Sequence, residues 1–200
     1  MKQGRLFNRI DDFDCVSQLT AEEISKLNQD FGETCALMVL DSTGFTRITR
    51  EKGSLFYLYH ISNMRRKCRE LFPEFNAIDF RFHADNAFAE FESVQQAIDF
   101  AAAITRYFAE EQISLGNEIF QSCIGIGYGP VVRCDIEGVF GDEMNVTCKL
   151  GEDVAEAGEI LLTENAFKNC DVSEDQTDVR TVSVSGVDLN CYKLLNLSPY

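Results

Sequence analysis

The chain has 200 residues, of which 45% are hydrophobic and 26% are charged, and its formal net charge is −15. This composition is that of one globular domain with small additions, and the negative charge disfavours a nucleic-acid partner, because phosphate backbones are bound by clustered Lys and Arg. No apolar run approaches the ~20 residues of a membrane-spanning helix, and the N-terminal residues lack the apolar core of a signal peptide, so we expect a cytoplasmic protein.

Residues 1–33 are predicted to form a lead-in that contains one short helix. Thr20 and Glu23 have the spacing of a capping box, which marks the beginning of that helix. The apolar run Ala36–Leu40 then predicts a strand buried on both faces. The run ends in a carboxylate, Asp41.

A helix is predicted next, and Pro73 should end it. Its apolar side chains recur at helical spacing: Leu58, Ile61, Cys68 and Leu71. The same segment carries a basic cluster, Arg65–Arg69, which we interpret as a solvated face, with a dimer contact as the alternative.

An alternating segment after this helix predicts a β-hairpin. Ile78, Phe80 and Phe82 should face one way, while Asp79, Arg81 and His83 should face the other. The residues 84–86 are typical of a tight turn, which places Asp85 at the tip of the hairpin.

The remaining pattern completes an α+β fold. An amphipathic helix is predicted over 94–108, a glycine-rich strand over 119–132, a helix over 143–157, a strand over 159–163, and two edge strands in the last thirty residues. The order strand–helix–strand–strand–helix–strand predicts a ferredoxin-like βαββαβ core with extra C-terminal strands and an N-terminal helix.

This fold places the end of the first strand beside the hairpin turn, so Asp41 and Asp85 should lie close together. A divalent cation would relieve the repulsion between the two carboxylates. The intervening turn, 42–46, supplies backbone N–H groups at a helix N-terminus, where phosphate binds well. The sequence therefore indicates a metal–triphosphate site, and the alternative is a pair of capping or turn aspartates.

The cysteines do not indicate a zinc site or a disulfide framework. The eight cysteines are scattered and include no C-x-x-C pair. Several, such as Cys35 and Cys123, lie in apolar runs, so we expect reduced and mostly buried thiols.

Four segments, taken in order, resemble the catalytic domain of class III adenylate/guanylate cyclases: LDSTGFTRI, FRFHADNAFAEF, GIGYGPVV and FGDEMNVTCKLGEDVAEAGEILLT. The resemblance extends over roughly Ala36 to Leu195, and we assign the catalytic domain to residues 34–200. It implies that Asp41 and Asp85 hold two divalent cations, Mg²⁺ or Mn²⁺.

The resemblance implies that the ribose 3′-hydroxyl of an NTP attacks the α-phosphorus and that pyrophosphate leaves. Such domains form antiparallel homodimers with shared sites, in which one subunit supplies the metal acids and phosphate loop. That loop corresponds here to Ser42, Thr43, Gly44, Phe45 and Thr46. The other subunit supplies the groups that recognise the base and stabilise the transition state.

Several positions depart from the family pattern. The ribose-orienting Asn is matched by Asn145, but the arginine on the reacting phosphate is replaced by Lys149, which keeps the charge and loses the bidentate geometry. Lys149 could instead pair with Glu152 or Asp153. Arg81 stands where adenylate cyclases commonly have a purine-reading lysine.

Two further departures concern the groups supplied by the partner subunit. The dimerisation arm is several residues shorter than usual, so that either Gly138 or Glu137 falls near the second purine-reading position. Ser185 falls near the expected phosphate-binding lysine.

Two functions follow from these observations. The first is a homodimeric nucleotidyl cyclase, a phosphorus–oxygen lyase, with ATP as the preferred substrate, although guanine and pyrimidine nucleotides stay open. The second is a catalytically weak or inactive cyclase-like domain that binds nucleotide or a protein partner as a regulator or scaffold, and a heterodimer with a complementary chain lies between the two.

Overall fold

The computed structural model describes residues 4–13, 19–115, 118–184 and 186–195. The helices in these ranges are α1 (Arg5–Asp11), α2 (Ala21–Phe31), α3 (Phe45–Lys52), α4 (Ser54–Glu74), α5 (Val94–Glu111), α6 (Asp142–Lys149) and α7 (Glu164–Lys168). The strands are β1 (Gly32–Ser42), β2 (Asp79–His83), β3 (Asn86–Phe91), β4 (Ser114–Leu115), β5 (Glu118–Ile119), β6 (Ser122–Cys134), β7 (Gly138–Phe140), β8 (Ile160–Thr163), β9 (Thr177–Val184) and β10 (Val187–Leu194). A π-helical turn, Leu150–Val154, extends α6, and a 3₁₀ turn, Glu174–Gln176, precedes β9.

The main sheet has the strand order β2-β3-β1-β6-β8-β10-β9, and β7 pairs with β6. Strand β1 is antiparallel to both β3 and β6, and β8 runs parallel to β6. The order β2-β3-β1-β6 is that of a ferredoxin-like core, so the predicted fold class is confirmed. The predicted C-terminal strands, β10 and β9, extend the sheet at one edge.

One face of the sheet packs against α4 and α5. Alternate β1 residues, Ala36, Met38 and Leu40, belong to this core, and Phe80 and Phe82 of β2 pack against it. The predicted alternation of the hairpin is therefore confirmed for these two residues, whereas Ile78 lies before the strand and is half exposed.

Helix α4 differs in detail from the prediction. Leu58 was expected on its buried face, but it is exposed, and Tyr57 is buried in its place. Pro73 lies in the last turn, and the helix ends one residue later at Glu74.

The opposite face of the sheet carries α6 at very close range. A Cβ atom at Gly127 would overlap the Thr147 hydroxyl, and one at Gly125 would overlap the Thr147 carbonyl oxygen. The glycines of β6 therefore allow the close approach of α6. Cys35, Leu37 and Val131 form a smaller core on this face.

The N-terminal helices pack against β6. Leu6 of α1 and Leu27 of α2 form a cluster with Cys134. The predicted capping box is present, because the Thr20 hydroxyl accepts from the Glu23 N–H and the Glu23 carboxylate accepts from the Thr20 N–H.

The described cysteines are reduced and mostly buried, as predicted. Each of the seven cysteines that the structure describes is free, and five of them are buried. Within the described ranges, every helix is too short or too polar to cross a bilayer.

Candidate active site

The end of β1 and the turn of the β2–β3 hairpin lie side by side. Leu40 pairs with Ala87 of β3, and this register brings Asp41 next to the turn formed by Ala84 and Asp85. Asp41 lies on the sheet face that α6 covers, because Cys35 and Leu37, three and two alternations earlier, lie on that face. The two acids therefore come together as the topology predicted.

The site is strongly electronegative. Burial, with the negative charges of Asp85, Glu152 and Asp153, raises the pKa of Asp41 to about 7, although the Ser42 N–H donates to its carboxylate over 2.7 Å and opposes the shift. Burial also raises the pKa of Glu152, and the charges of Asp153 and Asp85 act in the same direction. The ionised form of Asp41 is thus disfavoured until a cation compensates it.

These residues fit a hard divalent cation. Mg²⁺ is typically held by one or two carboxylates, and water and substrate phosphate oxygens complete its coordination. In the described part of the chain, no three His, Cys, Asp or Glu side chains are grouped as a metal site. A cation between Asp41 and Asp85 would therefore take its remaining ligands from solvent and substrate.

The predicted phosphate loop connects β1 to α3. Gly44 has a left-handed φ of 83° and stands before the first turn of α3, where no side chain caps the helix. The Thr43 N–H donates to the Gln121 carbonyl over 3.0 Å, and the Thr43 hydroxyl accepts from the Gln121 N–H over 3.1 Å. Thr43 therefore anchors the loop, and the N–H groups of Gly44, Phe45 and Thr46 are the candidates for contacting phosphate.

Tyr57 of α4 supports this loop from beneath. Its buried hydroxyl lies 2.8 Å from Ser42 Oγ and donates to the Thr43 carbonyl over 3.0 Å. Its ring makes an edge contact with Phe45, with the centroids 5.1 Å apart. Tyr57 thus fixes both ends of the turn that follows Asp41.

Helix α6 presents its predicted polar residues outward. Asn145 is exposed and lies one turn before Lys149 on the same helix. Lys149 Nζ lies 2.5 Å from Asp153 Oδ2, which is one of the two ion pairs considered from sequence. Within this chain, Lys149 is therefore held by the π-helical turn that follows it.

The inward face of α6 is anchored by a buried carboxylate. Glu143 Oε1 accepts from the Tyr128 N–H over 3.0 Å and from the Thr163 hydroxyl over 2.5 Å. Glu143 Oε2 accepts from Asn165 Nδ2 over 2.8 Å. These bonds fix the helix that carries Asn145 and Lys149 to the sheet.

Arg81 lies in an ion-pair network on the same sheet face. Its Nη2 donates to Glu90 Oε1 over 2.5 Å, and Arg133 Nη1 donates to the other oxygen of Glu90 over 2.9 Å. Glu90 is only 1% exposed, so two guanidinium groups compensate a buried charge. Arg133 also pairs with Glu33.

The Arg81 guanidinium lies against Gly138 of β7. A Cβ atom there would overlap the Arg81 guanidinium, and the φ of Gly138 is 96°. Of the two positions left open by the sequence, Gly138 is therefore the one against which the Arg81 guanidinium lies. Ser185, the remaining departure, lies outside the described residues.

Three residues near Asp41 and Asp85 were missed from sequence. Asn86 Nδ2 donates to Glu152 Oε1 over 2.8 Å, which connects the hairpin turn to the π-helical turn. Tyr57 was not among the residues that the sequence pattern singled out. Glu152 was considered only as one of two ion-pair partners for Lys149, whereas it lies in the π-helical turn and its charge acts on Asp41.

No family model and no curated protein matches the sequence. Solved structures do match. An adenylate/guanylate cyclase/hydrolase from Silicibacter pomeroyi superposes with a TM-score of 0.70 at 21% identity, covering 82% of this chain and 97% of that chain.

Two further structures show the same similarity. The catalytic core of a rhodopsin-guanylyl cyclase with converted specificity, in complex with ATPαS, gives a TM-score of 0.68 at 15% identity and covers 81% of this chain and 95% of that one. The non-canonical dimeric guanylyl cyclase domain of RhoGC from Blastocladiella emersonii gives 0.66 at 17%, with 82% and 96% covered. This chain has the fold of a nucleotide cyclase catalytic domain.

Proposed function

We propose that this protein is a metal-dependent nucleotide cyclase that converts an NTP into a 3′,5′-cyclic nucleotide and pyrophosphate at a dimer interface. The observation that carries this proposal is the meeting of Asp41 and Asp85 beside the N-terminus of α3, on a cyclase fold. A carboxylate pair beside exposed helix N–H groups is the arrangement that a metal-bound triphosphate requires.

In this reaction the ribose 3′-oxygen forms a bond to the α-phosphorus, the bond to the bridging oxygen breaks, and pyrophosphate leaves as the hydroxyl proton is lost. Bound Mg²⁺ or Mn²⁺ would neutralise the phosphate charge and polarise the reacting oxygens. The chain itself would hold the phosphates on the N–H groups of Gly44, Phe45 and Thr46. Catalysis then depends mainly on positioning and charge.

The remaining groups would come from a second copy of the chain. Asn145 is exposed on the outer face of α6, so it is accessible to a nucleotide bound by a partner subunit, and we assign it to orienting the ribose. Lys149 would stabilise charge on the reacting phosphate once it leaves Asp153. Arg81 would contact the base, and we take adenine as the preferred base. One structure of the RhoGC domain is a non-canonical dimer and another is a monomer, so the shared-site dimer rests on the resemblance to the cyclase family.

The experiment that tests this proposal compares wild type with Asp41→Asn and Asp85→Asn. We expect wild type to form cyclic nucleotide with Mn²⁺, and each variant to lose product by about 100-fold or more while keeping a native circular dichroism spectrum. Cyclic nucleotide output that persists in both variants would show that the metal site is wrongly assigned.

A second function is a nucleotide-binding regulator without turnover, and one observation favours it. The two basic residues assigned to the partner-supplied half of the site, Arg81 and Lys149, are both held in ion pairs within their own chain. Tight binding of NTP and metal without product from any nucleotide would support this alternative.

A further inference from the structure

The hairpin turn that carries Asp85 is held in an unfavourable conformation. Ala84, the first residue of the turn, has a φ of 50°, a left-handed value that residues with side chains rarely adopt. The turn has only two residues, since His83 and Asn86 pair across it. Contacts from outside the hairpin must therefore keep this turn in place.

Arg65 of α4 makes such a contact. Its Nη2 donates to the carbonyl oxygen of Ala84, the residue immediately before Asp85. Its guanidinium carbon also lies 5.3 Å from the ring centre of Phe82, in the strand that leads into the turn. The sequence placed Arg65 on a solvated basic face, whereas the structure places its guanidinium group against the hairpin.

The same helix supports the other acid. Tyr57 holds the turn after Asp41 through Ser42 and Thr43, and Arg65 lies eight residues later on α4, which is about 12 Å along a helix. Helix α4 is buried on its inner face at Ile61 and Met64, between these two contacts. A packed helix therefore connects the backbone beside Asp41 to the backbone beside Asp85.

We propose that Arg65 is a positioning residue for Asp85, and that α4, through Tyr57 and Arg65, sets the separation of the two carboxylates that bind the cation. This inference rests on the proposed metal site. A charged donor on a backbone carbonyl makes a stronger bond than a neutral one, and groups that orient metal ligands commonly affect metal affinity by about 10- to 100-fold.

The chain offers a matched control for the effect of charge. Arg66 is exposed on the same helix, so Arg66→Met and Arg65→Met each remove one positive charge from α4. Only Arg65→Met removes the bond to Ala84. Arg65→Lys keeps the charge and a single donor, and it serves as the conservative variant.

The test measures Mn²⁺ binding to the full chain by electron paramagnetic resonance of free Mn²⁺, and the Mn²⁺ dependence of cyclic nucleotide formation. We expect Arg65→Met to weaken Mn²⁺ binding by about tenfold or more, with a matching increase in the half-saturating Mn²⁺ concentration. We expect kcat at saturating Mn²⁺ to change less than threefold, Arg65→Lys to recover most of the affinity, and Arg66→Met to resemble wild type.

Equal Mn²⁺ affinities for Arg65→Met and Arg66→Met would overturn the inference. A loss in Arg65→Met that is confined to kcat, with unchanged Mn²⁺ affinity, would also overturn it. If Arg65→Met does not fold, a wild-type affinity in Arg65→Lys together with rapid amide exchange at Asp85 and Asn86 would also overturn it. Wild type that binds Mn²⁺ but forms no product would refute the cyclase proposal and leave the Arg65 comparison decisive. Wild type that binds no Mn²⁺ would refute both.

Discussion

The hydroxyl of Tyr57 lies 2.8 Å from Ser42 Oγ, in a fully buried position beneath the turn that follows Asp41. This contact connects α4 to the strand end where the proposed metal and phosphate sites meet. The same hydroxyl donates to the Thr43 carbonyl, so a single side chain fixes both residues before Gly44.

Replacing Tyr57 by Phe should therefore loosen the phosphate loop. The ring stays buried, but Ser42 and Thr43 lose a partner, and we expect the free energy of unfolding to fall by about 1 to 2 kcal/mol. Urea denaturation measures this loss. Tyr59→Phe, at an exposed position two residues later, should change stability by less than about 0.5 kcal/mol, and an equal loss in both variants would contradict the assigned contact.

Asp41 should make the metal-free protein less stable as the pH rises. Its pKa is raised to about 7 in the folded chain, from the ordinary value of 3.8. Because the folded protein retains this proton while the unfolded chain releases it, stability is lost as the pH rises from about 4 to about 7 and is level above that.

Asp41→Asn removes this dependence. We expect its melting temperature without metal to exceed that of wild type at pH 8 and to match wild type near pH 4. Thermal denaturation at both pH values measures the difference. A variant that is less stable than wild type at pH 8 would show that burial and the neighbouring acids do not disfavour the Asp41 charge.

Glu143 should be essential for seating α6. Glu143→Ala leaves three donors, from Tyr128, Thr163 and Asn165, without their acceptor, and the Thr163 hydroxyl among them is buried. We expect a loss of about 2 kcal/mol or more in unfolding free energy. Asp142→Asn, at an exposed position on the same helix, is the control. Chemical denaturation that gives the two variants similar midpoints would refute this role.

Substitutions of Lys149 and Asp153 distinguish a catalytic role for Lys149 from a role in a surface ion pair alone. An exposed pair contributes at most about 1 kcal/mol, so neither Lys149→Ala nor Asp153→Asn should unfold the protein. If Lys149 acts on the reacting phosphate, Lys149→Ala should lower kcat by about 100-fold with little change in KM, whereas Asp153→Asn should not lower it.

Lys149→Arg restores the bidentate group of the family and should at least preserve kcat. Steady-state kinetics of the three variants provide the comparison. Equal rates in wild type, Lys149→Ala and Lys149→Arg would remove Lys149 from the chemistry.

The sequence predicted the parts of the site that depend on local pattern. The apolar run Ala36–Leu40 predicted β1, and the alternation of Phe80 with Arg81 predicted β2 and its two faces. The strand order then placed Asp41 beside Asp85. These predictions succeeded because a period of two assigns each side chain to a face without knowledge of its partner.

The contacts that require a partner distant in sequence were not predicted. Arg65 reaches Ala84 across 19 positions, and Arg133 reaches Glu90 across 43. Glu152, in the π-helical turn, accepts from Asn86 across 66 positions. No periodicity specifies such pairs, so Arg65 was interpreted as part of a solvated face and Glu152 was considered only as one of two ion-pair partners for Lys149, whereas the structure pairs Glu152 with Asn86.

The measurement that tests the central claim most directly is incubation of the full chain with each of the four NTPs and Mn²⁺, with cyclic nucleotide and pyrophosphate quantified by mass spectrometry and a coupled assay. We predict one preferred NTP that yields a 3′,5′-cyclic nucleotide and pyrophosphate in equal amounts, and no product from Asp41→Asn. Binding of NTP and Mn²⁺ without cyclic product from any of the four nucleotides would contradict the account.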